Sequence, residues 1–306
     1  MTADAFELPS FAKINWQLQV LGKRDDGFHD LCTVFQTVSL NDTLAFEPYE
    51  TLAFECDSAD IPADDSNLVV RAAHLLRSEF GVREGARIFL RKRIPAPGGL
   101  GGGSSNAATA LLGLAGLWDL KISSERLATI GAQLGSDVPF FLTGGTALGT
   151  GRGTEIEALP DVIERYMIIV TPEIGVSTAE AFRRLDASRL TKVESKRILK
   201  ICRKDALMFN QRRPALKNDF EASVFISHPE IKRVKDKLLE LGAADALMSG
   251  SGASVFAVFD KEETRQATLK ALEAFKNWRK FAVATVSRNE FREALGRVRR
   301  LFPISF

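Results

Sequence analysis

The residues Pro95-Ala96-Pro97-Gly98-Gly99-Leu100-Gly101-Gly102-Gly103-Ser104-Ser105 run straight into the apolar pattern Asn106-Ala107-Ala108-Thr109-Ala110-Leu111-Leu112. Clustered glycines let a backbone approach a ligand closely and take positive φ. A helix behind them aims free N–H groups and a partial positive charge at that ligand. The chemistry is anion binding, with phosphate foremost. The alternative, a flexible linker, does not open directly into a helix. The stretch lacks Gly-x-x-x-x-Gly-Lys-Ser/Thr, so it is not a Walker A loop. Ser104 stands where a dinucleotide-binding Gly-x-Gly-x-x-Gly begun at Gly99 needs its third glycine, and no His-Arg-Asp or Asp-Phe-Gly of a protein kinase is present. A phosphate loop without its own lysine draws charge from a distant lysine, a metal ion, or both.

The surrounding chain has room for the elements that would position such a loop. Its 306 residues are 45% hydrophobic and 26% charged, which suits two globular domains. A net charge of +2 gives no global field for nucleic acid, and only Arg87-Ile88-Phe89-Leu90-Arg91-Lys92-Arg93 and Arg297-Val298-Arg299-Arg300 argue locally for it. Cys32, Cys56 and Cys202 are scattered and odd in number, which argues against a disulfide framework or zinc site. His29, His74 and His228 are too widely spaced for a metal cluster, so no protein metal site is expected. No apolar run approaches the ~20 residues of a membrane span, and the first residues do not form a secretory signal. The expectation is a cytoplasmic protein binding a small molecule, without nucleic acid or membrane, as a monomer or weak dimer.

Periodicity predicts strands over 11–20, 29–40, 43–46 and 86–94, and helices over 67–80, 107–118 and from Ser123 to near Gly135. The segment 143–153 is glycine-rich. A strand over 166–171 follows Pro160, and the domain boundary is placed there, giving 1–160 as the nucleotide-binding and catalytic domain and 161–306 as the substrate-side domain. The charged stretch 179–204 mixes acidic with basic residues and reads as a solvated helical face. Helices over 229–241 and 261–275, strands over 255–259 and 281–286, and a second glycine-serine turn, Ser249-Gly250-Ser251-Gly252, complete a split β-α-β pattern.

Four separated stretches together resemble the GHMP kinases. They are Ala12-Lys13-Ile14-Asn15 with Gly22-Lys23-Arg24-Asp25-Asp26-Gly27-Phe28-His29; the loop 95–105; Leu134-Gly135-Ser136-Asp137-Val138-Pro139 with Gly149-Thr150-Gly151-Arg152-Gly153; and Asn218-Asp219-Phe220-Glu221 with Met248-Ser249-Gly250-Ser251-Gly252. The resemblance spans nearly the whole chain. Its Gly-Lys-Arg-x-Asp-Gly-aromatic-His segment points to the branch whose acceptor alcohol carries a cytidine diphosphate. The implied fold is α+β with two domains, the first like the second domain of ribosomal protein S5 and the second a ferredoxin-like sandwich. The implied reaction transfers phosphate from ATP, with Mg²⁺, to the 2-hydroxyl of 4-diphosphocytidyl-2-C-methyl-D-erythritol.

The resemblance carries roles to individual positions. Loop residues 95–105 would cradle the triphosphate, with the Ser104 and Ser105 hydroxyls on phosphate or metal, or as helix caps. Asp137 would be the general base; aspartate in Gly-Ser-Asp-Val-Pro equally suits turn capping. Lys13, on a strand, would pair with Asp137 and polarise the acceptor hydroxyl; an exposed strand lysine is the alternative. Phe28 and His29 would hold the cytosine by stacking and by its polar edge. Phe28 stands where the family usually has tyrosine, so the ring face remains and the phenol does not. Asn15 would contact the erythritol or phosphate part, and Phe182 would be a second stacking ring or a core residue. Trp16 replaces an aliphatic residue and either narrows the pocket or packs inside. Two other readings compete: a GHMP kinase for an acceptor without a base, which has no use for Phe28 and His29, and a nucleotide sensor, which has no use for Asp137.

Overall fold

The structure, a computed structural model, describes residues 4–185, 192–208 and 216–302. In order these form β1 (Phe6–Lys23), β2 (His29–Tyr49), β3 (Leu52–Cys56), α1 (Leu68–Phe80), β4 (Gly85–Arg91), α2 (Gly102–Leu117), α3 (Ser124–Leu134), α4 (Val138–Phe141), β5 (Thr146–Gly151) and β6 (Glu155–Ala158). There follow β7 (Met167–Pro172), α5 (Thr178–Arg184), α6 (Lys192–Leu207), β8 (Lys217–Asn218), α7 (Glu221–Ser227), α8 (Pro229–Glu240), β9 (Asp245–Met248), β10 (Val255–Val258), α9 (Glu262–Leu272), β11 (Trp278–Val283), α10 (Arg288–Ala294) and a 3₁₀ segment, Gly296–Leu301.

Strand alternation sets the frame. Ala12, Ile14 and Trp16 of β1 enter the core on one face, which leaves Lys13 and Asn15 together on the other. The first sheet runs β3-β4-β2-β1-β8, with β5 on β2 and β6 on β5; the second runs β11-β7-β10-β9 and is antiparallel throughout. One apolar cluster lies between the first sheet and α1, α2 and α3, another joins the two sheets, and a third fills the space between the second sheet and α5, α7 and α8. Trp16 is a core residue: it is 2% exposed and stands edge-on to Phe256 at 5.3 Å.

Helix α2 is buried nearly all round. Added Cβ atoms at Gly113 and Gly116 would run into Phe46 and Val298, so glycine there permits close packing. The helix begins at Gly102 rather than at 107, because residues 102–106 are small or polar and carry no apolar period. Strand β2 is likewise one strand where two were expected. Asn41-Asp42 looks like a turn, but β1 meets it through a bulge between Phe11 and Ala12. Asp42 is fully buried and accepts from Lys92 Nζ (2.5 Å), Arg93 N (2.7 Å), Ile94 N (2.8 Å) and Asn106 Nδ2 (2.9 Å). One carboxylate thereby clamps both ends of the glycine loop.

The cysteine expectation is corrected. Cys32 on β2 and Cys202 on α6 form a disulfide across a sequence separation of 170, while Cys56 is free. Their proximity comes from α6 docking on β1 and β2, which sequence spacing does not encode. The end of the chain also returns to the first lobe: Val286 N–H donates to Thr37 O, and Phe291, Leu295, Val298 and Leu301 join its core. Within the charged stretch 179–204, residues 186–191 lie outside the described residues.

Candidate active site

A cavity of about 1000 Å³ opens between β1, the glycine loop, the start of α4, α5 and the turn after β9. Lys13 is nearly buried in its wall, with its side chain 5% exposed, and its Nζ lies 3.5 Å from Asp137 Oδ2, whose side chain is 31% exposed. Asp137 precedes α4 but makes no side-chain capping bond to it. The geometry therefore removes the capping alternative and leaves the carboxylate facing the cavity. Lys13 Nζ also donates to Asn15 Oδ1 (2.8 Å), which accepts as well from Gly250 N (3.0 Å). Asn15 Nδ2 donates to Thr33 Oγ1 (2.8 Å), which in turn donates to Gln17 O (2.7 Å). With both ends of its amide engaged, Asn15 acts as a strut that fixes Lys13.

The glycine loop and the second glycine turn interlock. Gly99 and Gly101 both take φ +70, and a Cβ at Gly99 would overlap Ser249 O. Ser249 Oγ donates to Gly99 O (2.9 Å) and Ser254 N donates to Gly98 O (3.1 Å). At Gly101 a Cβ would crowd Phe141 and the Lys13 stem. Ser105 N donates to Gly101 O (2.8 Å), the first helical bond of α2, so the N–H groups of Gly102, Gly103 and Ser104 have no acceptor within the helix. Ser104 lines the cavity. Ser105 does not: the structure turns its side chain inward, where it is 1% exposed and accepts from Ser10 Oγ (2.8 Å). Neither serine is the N-cap, a position held by Gly101.

Pro95, Ala96, Pro97, Gly98, Gly99, Leu100, Gly101, Gly102, Gly103, Lys13, Asn15, Asp137, Phe28, His29 and Phe182 all line this one cavity. His29 stacks on Phe182 with centroids 4.8 Å apart and planes at 19°, and Phe182 stands edge-on to Phe220. Burial, followed by the charge of Lys23, holds the His29 imidazole below its usual pKa. Phe28 is 48% exposed and carries the Arg152 guanidinium on its ring, 3.4 Å from the centroid.

Sequence reasoning missed several contributors. Arg152, Gly153, Lys23, Thr178 and Arg183 also line the cavity, and Thr33 and Phe35 line the wall behind Lys13. Lys92, half of the buried pair with Asp42, lies against Gly102 at the start of α2, its charge balanced by that carboxylate. Its position before Pro95 was the available signal. Asn218 Nδ2 donates to Met248 O (2.7 Å) and Gly250 O (2.8 Å), which ties β8 to the turn that touches Asn15.

Comparison with known proteins gives consistent findings. Residues 67–145 match the GHMP kinases N terminal domain and residues 199–277 the GHMP kinases C terminal model. A 4-diphosphocytidyl-2-C-methyl-D-erythritol kinase of Solibacter usitatus is 42% identical over 93% of this chain and 90% of its own. That of Enterococcus faecalis is 40% identical over 86% and 93%. A crystal structure of 4-(cytidine 5'-diphospho)-2C-methyl-D-erythritol kinase superimposes with a TM-score of 0.75 at 31% identity, covering 92% of this chain and all of the other. A mevalonate kinase of Methanococcus jannaschii, 13% identical with a TM-score of 0.67, shares the fold.

Proposed function

The chain belongs to the GHMP kinases and, within them, to the 4-diphosphocytidyl-2-C-methyl-D-erythritol kinases; from that premise we propose how its own residues perform the reaction. The enzyme phosphorylates the 2-hydroxyl of 4-diphosphocytidyl-2-C-methyl-D-erythritol with ATP, a step of isoprenoid precursor synthesis, yielding ADP and the 2-phosphate. The observation that carries the proposal is the Asp137 carboxylate, uncapped and facing the cavity beside Lys13.

Phosphoryl transfer depends on positioning and charge neutralisation. The N–H groups of Gly102, Gly103 and Ser104 at the start of α2 receive phosphate oxygens. Asp137 takes the proton of the acceptor hydroxyl and aligns its oxygen on the γ-phosphorus. Lys13, fixed by Asn15, holds the Asp137 carboxylate in place and polarises the same hydroxyl. Phe28, His29 and Phe182 receive the cytosine, with neutral His29 reading its polar edge. Asn15 belongs to the acceptor side through its link to Gly250.

Mg²⁺ belongs to the same proposal. Among the described residues no group of three or more His, Cys, Asp or Glu is placed to hold a metal. The ion would be held by phosphate oxygens of the nucleotide, with the Ser104 hydroxyl, which lines the cavity, as the protein oxygen on that side. When bound, the ion neutralises charge on the triphosphate. Among the described residues no helix is long and apolar enough to cross a membrane. The cytoplasmic location, the monomeric or weakly dimeric state, the lack of nucleic-acid binding and the division at 160/161, with the last residues returning to the first lobe, are further parts of the proposal. Incubation with ATP, Mg²⁺ and either the cytidyl substrate or the corresponding alcohol 4-phosphate, followed by ³¹P NMR, tests it: a new monophosphate forms with the cytidyl compound only. Equal turnover of both refutes the base site, and turnover of neither refutes the acceptor.

A further inference from the structure

The disulfide between Cys32 and Cys202 stands directly behind the cavity wall. Cys32 lies on β2 between Leu31 and Thr33, which both line the cavity, while its own side chain faces the other way, into the cluster that joins the two sheets. Cys202 lies on α6, which packs on β1 and β2. Both residues are fully buried. The bond also flanks the strut behind Lys13. Thr33 Oγ1 accepts from Asn15 Nδ2 and donates to Gln17 O, and the Gln17 side-chain oxygen lies 3.8 Å from Cys202 Sγ. A disulfide sulfur has no proton to donate and a thiol has one, so an acceptor already stands beside the sulfur that reduction would free. The rest of α6 is lightly held. Ala206 is buried and Ile198 and Leu199 are half-buried against the same cluster, while Lys196, Arg197, Lys200, Ile201, Arg203 and Lys204 are exposed. The Arg203–Glu157 pair, 3.5 Å apart with both side chains half exposed, adds little. An element with so few buried apolar contacts opens locally at low cost.

We propose that the Cys32–Cys202 disulfide is a reducible tether for α6, and that its state sets how well the cavity holds the acceptor. The ligand is the acceptor assigned above, so the inference rests on that reading and adds a control to it. Oxidised, the tether pins α6 to the back of the strand that carries Leu31 and Thr33. Helix α6 follows α5, which brings Thr178, Ala179 and Phe182 to the cavity, and precedes β8, which pairs with β1 at Gln17 and Leu18. Pinning α6 therefore steadies cavity elements on both sides of it in the chain. Reduction is thiol–disulfide exchange with a dithiol: one reductant thiolate attacks a sulfur, a mixed disulfide forms, and the second thiolate resolves it. The S–S bond breaks, Cys32 and Cys202 take up two electrons and two protons, and the reductant leaves as its own disulfide. A thiol oxidant reverses the step. Since both sulfurs are buried, the attacking thiolate reaches them only when α6 lifts, and a bound acceptor that holds α5 in place opposes that. Loss of acceptor affinity on reduction and protection of the bond by the acceptor are then one coupling seen from two sides. In the cytoplasmic setting proposed above, a disulfide that forms is usually of this redox-sensing kind.

The test compares the whole protein after mild oxidation with diamide and after reduction with dithiothreitol. Alkylation under denaturing conditions, followed by mass spectrometry, counts free cysteines: Cys56 alone in the oxidised form, and Cys32 and Cys202 as well in the reduced form. Reduction is expected to lower the affinity for the cytidyl substrate, measured by calorimetric titration, about five- to ten-fold, at the lower end of couplings between linked sites. It is also expected to speed hydrogen exchange over 196–207 while leaving α2 unchanged. Cys202→Ala holds both readouts at the reduced values whichever reagent is applied, and Cys56→Ala responds as the wild type does. Free Cys32 and Cys202 after oxidation, or equal exchange of α6 in the two forms, overturns the tether. Equal affinity in the two forms overturns its link to the cavity. An oxidised protein that does not bind the cytidyl substrate refutes the acceptor, while the thiol count and the exchange of α6 still decide the tether.

Discussion

Replacing Gly103 with alanine separates what the fold needs from what the ligand needs. Gly103 is exposed in the first turn of α2, and a Cβ built there meets only Leu68 Cδ1, at 3.9 Å. Its backbone is helical, so alanine introduces no strain. Removing a helical glycine lowers the entropy of the unfolded chain and stabilises by about 0.5–1 kcal/mol. For a chain of this size that raises the melting temperature by about 1–3 °C. If the triphosphate lies on the N–H groups of Gly102, Gly103 and Ser104, the new methyl group stands where a phosphate oxygen must approach. Losing one hydrogen bond to a charged oxygen costs about 1.5–3 kcal/mol, or roughly a ten- to hundred-fold rise in the KM for ATP. The assay is a thermal melt of the free protein beside ATP saturation kinetics. The expected result is a more stable enzyme that binds ATP less well. Gly99→Ala is the contrast: its methyl group overlaps Ser249 O at positive φ, so stability and activity fall together. A Gly103→Ala enzyme with wild-type ATP affinity refutes the placement of the phosphates.

Asn218→Ala leaves Gly250 O, Met248 O and Phe220 N without their side-chain partner, which destabilises by about 2–4 kcal/mol. Because Gly250 N–H bonds Asn15, which bonds Lys13, kcat falls as well, and a variant that melts early but keeps full kcat contradicts the strut. The His29 imidazole sits below its ordinary value of 6.5, so its neutral form, the one able to accept from the cytosine amino group, persists to lower pH than in a free histidine. The KM for the cytidyl substrate is expected to stay flat from about pH 8 to about pH 6.5 and to rise only below that. His29→Ala has a higher KM throughout and loses that limb; persistence of the limb in the variant assigns it elsewhere.

The glycine loop was legible because its physics is local: a cluster of glycines with a helix behind it means one thing wherever it occurs. Strand periodicity over 11–20 likewise put Lys13 and Asn15 on one strand, and that they share a face is seen in β1 itself. Asp137 was not legible from its own surroundings, since aspartate before Val-Pro suits a cap equally well; the resemblance selected the other reading, and in the structure its side chain makes no capping bond. The inward position of Ser105 was not legible for a local reason, as the helix starts at Gly102, before any apolar period appears. Asp42, Arg152 and the Cys32–Cys202 pair escaped notice because their meaning depends on partners 40 or more residues away. Asn41-Asp42 imitates a turn, and only the bulge opposite it reveals a buried clamp.

The central claim is that Asp137 removes the proton of the acceptor hydroxyl, with Lys13 holding it in place. Asp137→Asn preserves size and leaves the cavity wall intact, so single-turnover formation of the 2-phosphate at saturating ATP and cytidyl substrate tests it most directly. The account predicts a rate lower by about 10²–10⁴-fold, with both KM values within a few-fold of wild type and an unchanged melting profile. A folded Asp137→Asn enzyme that transfers phosphate at the wild-type rate contradicts it.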